Sequence, residues 1–120
     1  MDNTNNGEII IVDPLDQEEE SVYTYTHNFK KPFSWEGKTY ETLHFDFNKL
    51  NGRDFLTVGS ELTRLGIPAP VPALSGEYQA RVALRACEEK IDMTLLYAMP
   101  LLEVNAILRR TKDFLLLSER

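Results

Sequence analysis

The chain has 120 residues, which is the usual size of one domain, and its 42% hydrophobic and 27% charged residues are typical of a globular protein in water. No apolar run approaches the roughly 18 residues that a membrane-spanning helix requires. The net charge of −6 is unevenly placed, because residues 1–20 hold seven acidic and no basic residues while residues 21–120 hold 13 basic and 12 acidic ones, and such a nearly neutral body argues against nucleic-acid binding.

The first 20 residues join a polar, Asn-rich start to an acidic run from Asp13 to Glu20, so they offer little apolar surface to offset the entropy of ordering. We therefore predict a disordered acidic tail over residues 1–20 and a single domain over residues 21–120. The apolar exception is Ile9–Val12, a β-branched run that can add a strand to a sheet edge, dock on a partner or rest on its own domain.

Two features bear on the compartment. Met1 is followed by a polar run and not by a basic region and an apolar segment, so we expect a cytoplasmic protein. The single cysteine, Cys87, cannot form an intrachain disulfide, and we predict that it is a small buried residue on a helix.

Residues 22–47 have the period-two pattern of a β-hairpin. Pro32 predicts an edge strand or a bulge, because it lacks a donor for the ladder, and Gly37 supplies the positive φ of a tight reversal. Alternation places Tyr23, Tyr25, His27 and Phe29 on one face of the first strand. On the return strand it places Leu43, Phe45 and Phe47 on one face and Tyr40, Thr42, His44 and Asp46 on the other.

The period then changes to that of a helix, with Asn51 as the predicted N-cap and Gly66 as the left-handed stop. The apolar stripe of this helix is Phe55, Val58, Gly59, Leu62 and Leu65. The three prolines between Gly66 and Gly76 predict an extended surface connector. A polyproline ligand is the alternative, but no Arg or Lys stands beside the prolines to orient it.

Two further principal helices follow. Ser75 is the predicted cap of the first, which carries the stripe Ala80, Ala83, Leu84, Cys87 and Ile91 and the outward ladder Glu77, Arg81, Arg85 and Glu89. Asp92 caps a short turn, and Pro100 starts a long helix with the apolar face Leu101, Val104, Ile107, Leu108, Thr111, Phe114 and Leu115 and with Glu103 on its polar side. The predicted fold class is α+β: an N-terminal β-hairpin followed by three principal amphipathic helices.

Signs of chemistry are sparse in this sequence. It contains no Gly-rich phosphate loop, no paired-Cys framework and no nucleophile elbow. His44 and Asp46 share a strand face, and with His27 opposite them they could bind a transition metal. We favour a cross-strand polar pair, since no spacing fixes coordination geometry. No cofactor, metal or catalytic residue is therefore predicted.

Apolar surplus is the remaining feature. Eight aromatic residues crowd the hairpin, and a two-stranded sheet can bury about one face, so some rings either form an exposed patch for a protein partner or stabilise the strands as cross-strand pairs. We select five candidate partner-binding residues from the hairpin and the last helix: Trp35, Tyr40, Leu101, Val104 and Leu108.

Three segments in this order resemble the tail assembly chaperones of long-tailed bacteriophages. The first is the hairpin Phe29–Leu43, with its Lys31–Pro32 pair, its Gly37–Lys38 turn and a Tyr/Thr/Leu return strand. The second is Lys49–Leu56, and the third runs from Leu95 through the break at Pro100 into a helix that contains Phe114–Leu115.

This resemblance implies a non-catalytic protein that binds the tape-measure protein in the bacterial cytoplasm, keeps its apolar helices soluble and assists assembly of the tail tube protein. Such a protein would be absent from the mature virion, would bind neither nucleic acid nor membrane, and could self-associate. A structural virion protein, such as a head–tail joining or tail-completion component, is the alternative. An enzyme and a host-derived adaptor are further alternatives.

Overall fold

The computed structural model describes residues 22–118. A β-hairpin is followed by helices, which confirms the predicted α+β fold in a single domain, while the predicted disordered tail lies outside the described residues. The strands are β1 (Thr24–Trp35) and β2 (Lys38–Asp46). The helices are α1 (Gly52–Leu65), α2 (Gly76–Ala86), α3 (Met93–Ala98) and α4 (Leu101–Ser118), with short 3-10 turns at Phe47–Lys49 and Pro72–Leu74.

The hairpin turn and the irregularity at Pro32 follow the sequence. Glu36 and Gly37 form a two-residue loop with φ values of 50° and 81°, the left-handed geometry that suits the twist of a hairpin. Regular pairing extends from Thr24↔Asp46 to Asn28↔Thr42 and resumes only at Phe33↔Tyr40. The predicted bulge is therefore confirmed, since the residues around Pro32 have no partners on β2.

One core joins the hairpin to the helices. Leu43, Phe45 and Phe47 are buried, as the alternation of the return strand predicts. Every helix buries apolar residues in this core. They are Val58, Leu62, Tyr78, Ala80, Val82, Ala83, Ala86, Leu95, Leu96, Ile107 and Leu115. Packing α2 between α1 and α4 lets both outer helices reach the same core.

The predicted ends of α1 are confirmed. The Asn51 side chain accepts from the backbone N–H groups of Arg53 and Asp54, and Asp54 accepts from the backbone of Asn51. Gly66 is left-handed, and the N–H of Ile67 donates to the Leu62 carbonyl at 2.9 Å. The pKa of Asp54 is lowered by the backbone N–H of Asn51 and by Arg85.

The prediction that the α2 stripe continues to Ile91 is wrong. The helix ends at Ala86 because the next residues pair with the free edge of β2: Cys87 forms a bridge with Phe45, and the N–H of Glu88 donates to the His44 carbonyl at 2.8 Å. Cys87 is buried as predicted, although it lies just past the helix. Burial raises the pKa of its thiol to about 11, which makes it a poor nucleophile.

The sequence pattern also assigns the wrong environment to residues on two helices. The prediction that Arg81 faces solvent is wrong. This side chain is buried, with Nη1 2.6 Å from Glu77 Oε1 and Nε 3.7 Å from Glu61 Oε2. Conversely, Phe55 and Leu65 of the predicted α1 stripe are exposed, because α1 packs mainly on α2 and only the side with Val58 and Leu62 meets it.

The proline-rich connector is not extended throughout as predicted, because a short 3-10 turn at Pro72–Leu74 interrupts it, and one residue of that turn lies in the core. Ala73 is fully buried in the turn Pro72–Leu74, and its carbonyl accepts from the side-chain amide of Gln79 at 2.6 Å. This buried hydrogen bond fixes the approach of the connector to α2.

Candidate partner-binding groove

An open apolar groove of about 540 Å³ lies where α2, α3 and α4 meet. We call it the apolar groove. The helices end and begin there because Asp92 caps α3, accepting from the N–H of Leu95 at 2.9 Å, and Pro100 forces a break before α4. The lining residues are Gly76, Glu77, Ala80, Met93, Leu96, Tyr97, Met99, Leu101, Val104 and Leu108.

Three of the five predicted partner-binding residues line this groove. Leu101 is 71% exposed at its rim, and Val104 and Leu108 are half-buried in its wall one and two turns further along α4. Their spacing places them on one stripe of the helix. The wide apolar face predicted for α4 is therefore divided in two. One stripe lines the groove, and the adjacent stripe, with Ile107 and Leu115, is buried in the core.

The other two predicted residues, Trp35 and Tyr40, lie near the hairpin turn and do not line the groove. Both are half-buried and packed against the core cluster, so only part of each side chain is accessible to a partner. Their rings are used within the hairpin: Trp35 stacks on Phe33 with 6.4 Å between ring centroids, and Lys38 Nζ lies 5.3 Å from the centre of the Tyr40 ring. Both contacts run along a single strand, and across the hairpin Tyr40 is paired with Phe33 and Trp35 with Lys38.

Sequence reasoning missed the contribution of α3 to the groove. Tyr97 is 70% exposed at the rim, and Met93, Leu96 and Met99 supply apolar wall. The available signal was the pair of methionines beside a helix too short to bury all its apolar residues. Methionine adapts its unbranched side chain to irregular partners, and it is common at such surfaces.

Charge is nearly absent from this groove. Glu77 is the one charged side chain among its lining residues, and it is held by Arg81 at 2.6 Å. Burial opposes ionisation of Arg81, but the hydrogen bond and charge of Glu77 outweigh it and raise the arginine pKa, so Arg81 stays charged. An occupant of the apolar groove would therefore be recognised by apolar contact.

Another groove with a mainly apolar lining, of about 560 Å³, runs along α1 and the connector between α1 and α2. Phe55 and Leu56 are 52% and 67% exposed, and none of the lining residues is shared with the apolar groove on α4. We call it the α1 groove. It was not predicted, since the sequence pattern assigns Phe55 to the core.

A buried polar cluster joins β1 to α4. His27 Nε2 lies 2.7 Å from Glu103 Oε1, the Tyr25 hydroxyl lies 2.8 Å from His27 Nδ1, and the N–H of Lys30 donates to Glu103 Oε2 at 3.2 Å. The predicted position of Glu103 on the polar side of its helix is wrong, because its carboxylate turns inward to these donors. Burial raises the pKa of Tyr25, against the opposing effect of Arg110, whose guanidinium lies 4.7 Å from the ring centre.

The same contacts correct the idea that His27 faces His44 across the hairpin. His27 pairs with Leu43, while His44 pairs with Thr26 and lies on the opposite face of the sheet. Among residues 22–118 there is no group of three His, Cys, Asp or Glu side chains placed to hold a metal ion.

His44 instead binds the carboxylate of Glu89, with Nδ1 2.6 Å from Oε2 and its backbone N–H 2.8 Å from Oε1. The hydrogen bond to Glu89 raises the pKa of His44. Partial burial opposes ionisation of Glu89, but the hydrogen bonds from His44 prevail and lower its pKa.

We expect this pair to stabilise the fold most between pH 4.5 and 6.5, the ordinary values of the two groups. The contribution of His44 is complete below its unfolded pKa and is lost as pH rises through the raised folded pKa. That of Glu89 is lost as pH falls through its lowered folded pKa. An NMR titration of the His44 ring measures this, and Glu89→Gln should return its pKa toward 6.5. An unchanged titration in that variant would contradict the assignment.

None of the helices within residues 22–118 is sufficiently long and apolar to cross a membrane. Comparison with models of protein families, with curated protein sequences and with solved structures gives no match for this chain. Its surfaces are therefore the basis on which a function can be inferred.

Proposed function

We propose that the protein is a non-catalytic tail assembly chaperone that works in the bacterial cytoplasm and binds apolar helical segments of a phage tape-measure protein. The observation that carries the proposal is the apolar groove, where Tyr97 and Leu101 are 70% and 71% exposed beside half-buried Val104 and Leu108. Exposed apolar surface of this kind is typical of a protein-binding site.

The groove has a volume of about 540 Å³, which has room for a few apolar side chains from one face of a helix. An α-helix repeats its apolar residues every three to four positions over turns of about 5.4 Å, so two turns present three or four side chains to one groove. Each leucine-sized side chain that is fully buried contributes about 1.5–3 kcal/mol. Two or three such anchors give reversible binding, which a chaperone that must release its client requires.

Co-expression with the candidate tape-measure protein tests the proposal. We expect the tape-measure protein to move from the insoluble to the soluble fraction in the presence of the wild-type protein. Leu101→Glu should abolish this effect, because it places a charge at the rim of an apolar groove at small cost to folding. The matched control is Leu56→Glu, since Leu56 is 67% exposed in the α1 groove.

The two variants separate the possible outcomes. Loss of solubilisation with Leu101→Glu alone supports the apolar groove as the site, and loss with Leu56→Glu alone moves the client to the α1 groove. A tape-measure protein that stays insoluble with the wild-type protein would overturn the proposed function. The circular dichroism and melting of each variant show whether its fold is intact.

The alternative is a structural virion protein, and the presence of two separate apolar grooves is the observation in its favour. A ring of identical subunits is closed by heterologous contacts between two different surfaces of each copy, and exposed apolar residues lie at both grooves, Leu56 at one and Leu101 at the other. Mass spectrometry of purified particles distinguishes the two functions. A stoichiometric amount of this chain in mature virions supports the structural one.

A further inference from the structure

A small pocket of about 210 Å³ lies over α2, between the start of α1 and the end of α4, and we call it the aromatic pocket. It forms because α1 and α4 each pack on α2 far more than on each other, so a gap remains between the two outer helices. It shares no lining residue with the apolar groove, although Phe55 and Tyr78 also border the α1 groove.

The floor of the aromatic pocket is buried and apolar. It consists of Val58, Tyr78, Val82 and Leu115, each of which is less than a tenth exposed. The Tyr78 hydroxyl donates to the Phe55 carbonyl at 3.3 Å, and burial raises the pKa of Tyr78 to about 12, so this group stays uncharged at neutral pH. The floor therefore offers a ligand apolar surface and no charge.

Three aromatic rings border the pocket, those of Phe55, Tyr78 and Phe114. Phe55 meets Tyr78 edge-on with 5.7 Å between ring centroids, and Phe114 stacks on Phe47 of the core at 5.1 Å. Phe55 is still 52% exposed, so part of its ring is free for a ligand. Because aromatic rings pack well edge-to-face or offset on other rings, this lining favours an aromatic ligand.

The rim of the pocket carries no net charge. Asp54 and Arg85 are the two charged residues in its described lining, and they form an ion pair with 2.6 Å between Arg85 Nε and Asp54 Oδ1. The lowered pKa of Asp54 keeps its carboxylate ionised, so the two charges cancel. A charged ligand would lose hydration here without meeting an opposite charge that is still unpaired.

The volume limits the size of the ligand. An apolar cavity of about 150 Å³ is sufficient for benzene, so about 210 Å³ has room for one ring or two fused rings but not for a helix. We propose that the aromatic pocket binds a compact, uncharged aromatic molecule of one or two fused rings, with its ring against Phe55, Tyr78 and Phe114. This proposal does not depend on the chaperone proposal, because it concerns a different site and no tape-measure protein.

A titration of the full chain with indole, followed by methyl NMR, tests the proposal. We expect saturable shifts of the methyl signals of Val58, Val82 and Leu115, with a Kd of about 1 mM or lower. The methyl signals of Val104 and Leu108 in the apolar groove should stay in place. Indole-3-acetate and tryptamine, which attach a charge to the same ring system, should bind more weakly than indole.

Two variants locate the binding site. Val82→Phe fills the pocket from its floor and should abolish the shifts, and circular dichroism shows whether this variant folds. Phe55→Ala removes an exposed ring from the pocket and should raise the Kd about three- to tenfold. The matched control is Leu56→Ala, because Leu56 is 67% exposed on the same helix but does not line the pocket, and it should leave the Kd unchanged.

The proposal fails if indole causes no saturable shifts, or if the largest shifts lie in the apolar groove. It also fails if indole binds folded Val82→Phe as it binds the wild-type protein, or if Phe55→Ala and Leu56→Ala have the same effect. Tighter binding of either charged compound would contradict an uncharged ligand. If Val82→Phe does not fold, the comparison of Phe55→Ala with Leu56→Ala still decides the question.

Discussion

Replacing Ile107 by alanine is expected to lower the free energy of unfolding by about 2–5 kcal/mol, the usual cost of truncating a large side chain in a packed core. Ile107 is fully buried on the stripe of α4 that faces the core. The loss combines the transfer of the removed methyl groups with the cavity they leave. Urea unfolding followed by circular dichroism measures it.

The neighbouring substitution Leu108→Ala provides the control. The sequence pattern places Leu108 at the centre of the apolar face, but it is half-buried in the wall of the apolar groove. We expect it to destabilise the fold clearly less than Ile107→Ala, since less of its surface is removed from solvent. Equal losses would mean that the groove is closed in solution and is not a free surface.

Glu103→Ala is the second substitution with a large expected effect, about 2–5 kcal/mol of destabilisation. It leaves the Nε2 of buried His27 and the backbone N–H of Lys30 without their acceptor. Removing one member of a buried hydrogen-bonded pair costs the full desolvation of the partner. Glu103→Gln should cost less, because one carbonyl oxygen remains.

A double-mutant cycle with His27→Ala identifies the source of this loss. If the His27–Glu103 contact is responsible, Glu103→Ala should cost much less in the His27→Ala background, with a coupling of about 1–3 kcal/mol. Additive losses would show instead that Glu103 acts through the Lys30 N–H alone. The variants are compared by equilibrium unfolding, so no functional assay is needed.

Local sequence signals determined the elements of this fold and most of their ends. Gly37, the Asn51 cap and left-handed Gly66 act within a few residues of their own position, and the period-two and helical patterns identify the strands and helices. Helical spacing also places three of the candidate partner residues, Leu101, Val104 and Leu108, on one side of the last helix, and all three line the apolar groove.

Only the tertiary structure decided which apolar stripe is covered and which polar residue is buried. Helical spacing cannot separate Ile107 from Leu108, since both lie on one broad apolar face until α2 and the hairpin cover part of it. Likewise, the sequence pattern places Glu103 on the surface, and it is buried only because α4 packs it against His27, 76 positions away in the chain. The early end of α2 has the same cause, because Cys87 leaves the helix to pair with Phe45. Contacts between distant segments decide these features, and no periodicity within one segment encodes them.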